Sequence, residues 1–176
     1  IHIDHFDELY DLTEVAKTTS KRAKVAIRVN MDTGVYPMWD RFGFNYENGQ
    51  AWNAINKIMA HEELDLVGLH CHIGTYMLSA NAYSQSNLTW KIIQYIDMGG
   101  GFATANTLKG SYLQGADIIP SIDDYAEAIT STVLNFGFKQ QDLPTIFLET
   151  GRALIDDAGY LLGSVVATKR LSDGRR

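Results

Sequence analysis

The sequence predicts an α/β fold in which parallel strands alternate with helices. Three observations predict it. Short β-rich apolar runs begin near residues 1, 25, 66, 92 and 145. Segments with the apolar spacing of an amphipathic helix lie between them. The polar, glycine-bearing motifs follow directly on the apolar runs, which is where parallel α/β folds bind ligands. Such alternation calls for parallel strands joined by right-handed crossovers. Five strands are too few to close an eight-stranded barrel.

Taken in order, Ile1-His2-Ile3 alternates like a strand, and Asp4 is placed to cap a helix carrying Phe6, Leu9, Tyr10, Leu12 and Val15. Residues 25–30 form the second strand, and 31–49 read as a long loop with Gly34, Pro37 and Gly43. The spacing predicts a helix over 51–61, a strand over 66–73, a helix over 81–88 and an inner strand over 92–98. Ser121 and Asp124 have capping-box spacing at the head of a helix with Tyr125, Ile129 and Val133 on one face. Residues 145–149 give a further strand, and 163–167 suggest one more. Between Gly74 and Trp90 only 17 residues are available for a helical crossover, which is tight and predicts missing residues over 84–92.

Composition bounds the function. The 176 residues suffice for one full core; 45% are hydrophobic and 20% charged, as in ordinary soluble domains. A net charge of −6 gives no basic footprint for nucleic acid, though it allows a small anion held by one arginine and backbone amides. Apolar runs such as 161–167 are far too short for a membrane span, and no signal peptide opens the chain. One cysteine, Cys71, leaves no internal disulfide and suits a reducing cytoplasm. The chain starts without methionine, inside an apparent strand, and reads as part of a longer polypeptide.

Three strand ends carry the chemistry. Asp97-Met98-Gly99-Gly100-Gly101-Phe102 offers either an anion cradle of bare amides or a tight turn that needs positive φ. His70-Cys71-His72-Ile73-Gly74-Thr75 puts two histidines on one strand face and Cys71 on the other. His72 could stack on a flat ligand or be a satisfied core histidine. With no third ligand evident, no metal site is expected. Glu149-Thr150-Gly151-Arg152 offers either an internal salt bridge or two separate roles, a carboxylate for a protonated ring nitrogen and a guanidinium for phosphate.

Together these segments resemble the pyridoxal-phosphate-dependent ornithine/diaminopimelate/arginine decarboxylase family, whose fold is the alanine-racemase-like (β/α)8 barrel. His72-Ile73-Gly74-Thr75, the Asp97–Phe102 run and Glu149-Thr150-Gly151-Arg152 are similar to three motifs of that family, in family order. Arg28-Val29-Asn30, Arg41-Phe42-Gly43, the segment from Pro120 to Ala126, and Ala158-Gly159 through Lys169 support the match. The resemblance implies a partial TIM barrel over residues 1–162, with 163–176 leading toward a C-terminal β domain. It implies pyridoxal 5'-phosphate as cofactor. His72 would lie on its ring, Thr75 near its phosphate, Gly99, Gly100 and Gly101 would give amides to the phosphate, and Glu149 would meet the ring nitrogen. Gly151 and Arg152 would close on the phosphate, and Arg28 would stand nearby. The expected parent is a cytoplasmic homodimer with shared active sites, acting on a small-molecule amino acid.

The 120–126 segment favours a diaminopimelate-like substrate over an ornithine-, arginine- or carboxynorspermidine-type one. Departures are Thr150 in place of the family's proline, a shortened interval between His72 and Gly99, and no lysine in position to bond the cofactor. Lys17, Lys21 and Lys24 fall in a surface helix and turn, so this stretch alone is not expected to turn over. Three other readings stand beside the decarboxylase: a non-catalytic regulatory relative, a racemase, and a nucleotide-binding domain. Glu149 speaks against the racemase, and the polar residues 104–115 after the glycines speak against the nucleotide domain.

Overall fold

The structure, a computed structural model, describes residues 1–34, 37, 39–75, 77, 79–80, 82, 93–104, 119–156 and 158–168. Its elements are β1 (His2–Ile3), α1 (Phe6–Thr19), β2 (Ala23–Asn30), β3 (Phe44–Asn45), α2 (Gln50–Ala60), β4 (Leu64–His70), β5 (Tyr95–Asp97), α3 (Ile122–Asn135), a 3-10 turn at Gln140–Asp142, β6 (Thr145–Phe147) and α4 (Arg152–Ile155). The strands pair in parallel in the order β1-β2-β4-β5-β6, with β3 on β2 alone. This is the parallel α/β sheet that the alternation predicts.

Register divides the sheet into two chemically different faces. Side chains alternate along a strand, and Ile27↔Leu69↔Ile96 are neighbours across β2, β4 and β5. These residues, with Ile3, Val25, Val29, Cys71 and Met98, join one buried core with Leu9 of α1, Ile55 and Ile58 of α2, and Ile129 of α3. Each such fully buried side chain contributes about 1.5–3 kcal/mol. The adjacent row, Arg28↔His70↔Asp97, points to the opposite face, which also carries His2 and Tyr95. The helices therefore cover the apolar face and leave the polar one to the site.

Several local expectations are corrected. Asp4 does not cap α1; His5 holds that position without a side-chain bond, and the Asp4 carboxylate lies 3.8 Å from Arg28 Nη1. The 31–49 loop contains β3, because Asn30 Nδ2 donates to the carbonyls of Phe42 and Gly43, at 2.8 Å each, and so draws Phe44 alongside Val29. The strand expected over 92–98 is confined to Tyr95–Asp97. Residues 163–167, expected as the first strand of a further unit, pair with no strand among the described residues, and Val166 is 95% exposed. The Ser121–Asp124 capping box is present, with Asp124 N–H donating to Ser121 Oγ and Ser121 N–H to the Asp124 carboxylate. These bonds lower the Asp124 pKa. The expected helix over 81–88 (Ala82 apart), the suspected gap over 84–92 and the loop beyond Thr104 lie outside the described residues.

Candidate functional site

Beyond the named strands the chain continues to zip together, and this brings the three motifs into one place. Cys71 N–H donates to the Asp97 carbonyl at 2.8 Å, Met98 N–H to Phe147 at 3.0 Å, and Glu149 N–H to the Gly99 carbonyl at 2.8 Å. The ends of β4, β5 and β6 are thus laced side by side. Gly100 N–H donates to His72 Nδ1 at 3.1 Å. The Glu149 carboxylate sits between the two histidines, Oε1 3.9 Å from His70 Nε2 and Oε2 3.9 Å from His72 Nδ1. The strand-alternation argument that His70 and His72 share a face therefore holds, and Cys71 is buried in the core behind them.

The glycine run is shaped by its neighbours. Gly99 and Gly101 have φ of 66° and 93°, which side chains rarely adopt. A Cβ on Gly99 would meet His72 Nδ1 at 2.7 Å and the Cys71 carbonyl at 2.8 Å. One on Gly100 would strike the Glu149 carbonyl, and one on Gly101 the Gly74 carbonyl, with Thr75 Cα beside it. Two of the three amides are already engaged, since Gly99 N–H donates to Asp97 Oδ1 at 2.9 Å and Gly100 N–H to His72. Among the described residues only the Gly101 amide of the three stands without a partner, next to Thr75.

The histidines are held neutral. Burial is the main cause for His70, whose pKa falls to about 4; the charge of Arg28 adds to this and the Asp97 carboxylate opposes it. Burial and Arg28 also lower His72, against Glu149, Asp97 and a hydrogen bond to the Gly74 backbone. Burial pushes the Cys71 thiol up to about 12, which removes it as a nucleophile. Arg28 lies beside the site as expected, its guanidinium near Asp4 and 4.8 Å from the Phe42 ring centre. Gly151 and Arg152 follow Glu149 into α4; Arg152 is exposed, and no ion pair joins it to Glu149 among the described residues. No described contact joins Arg152 or Gly151 to the glycine run. Lys17 pairs with Glu14 on the surface of α1, far in character from a cofactor lysine.

Sequence reasoning missed three participants. Tyr125, taken as an apolar face residue of α3, is buried and its hydroxyl donates to the Met77 carbonyl and accepts from Ala103 N–H at 3.3 Å. It ties the loop after β4 to the loop after the glycines. His2 stacks on His70 with centroids 4.9 Å apart, and its Nε2 is 3.0 Å from the Tyr95 hydroxyl. Asp97 completes a group, His2, His70 and Asp97, whose ligand-type atoms all lie within 4.8 Å. The expectation that His70 has no third ligand-type neighbour is therefore corrected; the set involves His2 and Asp97 rather than His72. At His70 the Asp97 carboxylate favours positive charge and the weaker effect of Arg28 opposes it. A cavity of about 590 Å³ lies instead on the helix side of β6, lined by Pro120, Tyr125, Ile129 and Leu148, and none of His72, Glu149 or the three glycines borders it.

A parallel barrel-type sheet whose strand ends gather two neutral imidazoles, a half-exposed carboxylate and a glycine run is of the class that can hold a flat ligand with a ring nitrogen and an anionic group. Residues 1–156 match the family model for the pyridoxal binding domain of pyridoxal-dependent decarboxylases, and the chain belongs to that family. The diaminopimelate decarboxylase of Methanocaldococcus jannaschii is 30% identical over 93% of this chain and 40% of its own length. That of Bacillus subtilis is 28% identical over 100% of this chain and 43% of its own. The crystal structure of the M. jannaschii enzyme superposes with a TM-score of 0.68 at 27% identity, covering 86% of this chain and 38% of that one. The Helicobacter pylori enzyme, 21% identical with a TM-score of 0.65, shares the fold. This chain spans about two fifths of the length of the curated relatives it matches.

The residues present fit pyridoxal phosphate. The Glu149 carboxylate receives no hydrogen bond from the described residues and is 53% exposed, as a partner for a ring N–H requires. Among the described residues Gly101 N–H and the side chains of Thr75 and Arg152 have no hydrogen-bond or ion-pair partner, and they are groups of the kind that bind phosphate.

Proposed function

We propose that the protein carrying this chain is a pyridoxal-phosphate-dependent decarboxylase of a diamino acid, with a diaminopimelate-like substrate favoured. The observation that carries this is the Glu149 carboxylate held between His70 and His72 and pinned through its backbone to Gly99. When bound, pyridoxal phosphate supplies the electron sink for the charge left as CO2 departs. Glu149 keeps the proton on the ring nitrogen, and so keeps that sink strong. His72 presents its imidazole to the ring; its orientation is set by Gly100 N–H at Nδ1 and by the Gly74 backbone. Gly101 N–H, Thr75, Gly151 and Arg152 bind phosphate. Arg28 adds positive potential and helps keep both histidines neutral.

Diaminopimelate is favoured because the relatives aligned over nearly the whole chain are diaminopimelate decarboxylases, and because of the residues at 120–126. Residues 1–162 are read as barrel and 163–176 as a link to a further domain, in a cytoplasmic homodimer with shared active sites. No described helix is long and apolar enough to cross a membrane. The test is CO2 release by the full-length protein from diaminopimelate, ornithine and arginine, with lysine assayed as product of the first. Release from diaminopimelate that E149Q abolishes supports the reading. Cofactor binding without release from any of the three would favour a non-catalytic relative, and absence of cofactor binding would overturn the proposal.

A further inference from the structure

We propose that His70 is a positioning residue for Glu149: it donates its imidazole N–H to Glu149 Oε1 and fixes the carboxylate toward the cofactor ring nitrogen. This rests on the pyridoxal-phosphate reading above. Two histidines flank this carboxylate at equal distances, and the structure shows that they are not equivalent. His72 Nδ1 accepts from Gly100 N–H, so its lone pair, not a proton, faces Glu149. His72 has no proton to give to Glu149. His70 is 6% exposed, and both its ring nitrogens lack a hydrogen-bond partner among the described residues. A buried polar group in that condition calls for a partner.

The available acceptors around His70 are two carboxylates. Asp97 already accepts from Gly99 N–H at 2.9 Å, whereas the Glu149 carboxylate receives nothing from the described residues. The 3.9 Å gap from His70 Nε2 to Oε1 closes by rotation of the half-exposed Glu149 side chain, because His70 itself is locked in β4 under the stacked His2 ring. A ligand-binding carboxylate held by an imidazole donor behind it is the arrangement by which supporting residues orient binding groups elsewhere. Oε1 then accepts the hydrogen bond from His70 and leaves Oε2, on the His72 side, for the ring nitrogen.

The experiment is a double-mutant cycle on the full-length protein, read by the dissociation constant for pyridoxal phosphate and by the visible absorbance of the bound cofactor. H70L is expected to weaken binding about tenfold and to shift the band. H70Q, which restores a donor, is expected to recover most of both. In the E149A background, which has no acceptor left for His70, H70L is expected to add nothing. Equal losses from H70L with and without Glu149, or H70Q behaving like H70L, overturn the inference. Should H70L fail to fold, the 15N resonances of the His70 ring decide: they move in E149Q and not in the surface control E127Q if the bond exists, and move in neither if it does not. Wild-type protein that binds no cofactor defeats the underlying reading, while one that binds it with no response to His70 defeats only this inference.

Discussion

The two faces of β4 are a comparison within one strand. Leu69 and Cys71 enter the core under the helices and are essentially unexposed; His70 and His72, one residue away in each case, meet Glu149. The first pair gives apolar area to stability, while the second places two neutral rings on a carboxylate. The difference teaches that a shift of register by one residue would exchange stability for chemistry across the whole sheet. It also means that the two functions can be damaged separately.

The largest expected effect breaks the apolar side. Leu69→Ala should cost about 2–5 kcal/mol of unfolding free energy, measured by denaturant melts of the full-length protein. A loss under about 1 kcal/mol would show that this face is not the core. The next prediction sharpens the polar side. His70 has a folded pKa of about 4 against an ordinary 6.5, so above 6.5 it is neutral in both states and carries no penalty. As pH falls from 6.5 toward 4 the unfolded chain takes up the proton first, and stability drops by on the order of 3 kcal/mol. H70Q should flatten that part of the melting profile; an unchanged slope would rule His70 out as its source.

Smaller effects follow. Tyr125→Phe leaves the Met77 carbonyl and Ala103 N–H without their common partner and should cost about 1–3 kcal/mol. Arg152→Ala should alter stability by no more than about 0.5 kcal/mol, because the residue is exposed and has no ion pair among the described residues, yet weaken pyridoxal phosphate binding measurably. If stability falls and binding does not, Arg152 belongs to the packing rather than the site.

Much of this was legible in the residues. The alternation of apolar runs with helix-period segments pointed to parallel strands, Ser121 and Asp124 to the head of α3, and the three motifs to His72, Gly99–Gly101 and Glu149 as one place. What was illegible depends on distant partners. β3 is only Phe44–Asn45 and has no pattern of its own; the amide of Asn30 creates it. Tyr125 matches the apolar face of α3 by spacing, and only the fold shows what its hydroxyl reaches. From the residues His70 reads only as half of an incomplete metal pair, since its relation to Glu149 joins β4 to the end of β6 across β5.

The glycine run has one more consequence, for how such chains diverge. Each of its three positions is closed to a side chain by the backbone of β4's or β6's continuation or by His72, before any phosphate arrives. A descendant that had abandoned its cofactor would still be compelled to keep all three glycines in order to fold. Their presence therefore records ancestry and architecture. The residues free to drift once the chemistry is lost are Arg152 and Glu149, and it is there that an active lineage and a retired one would part.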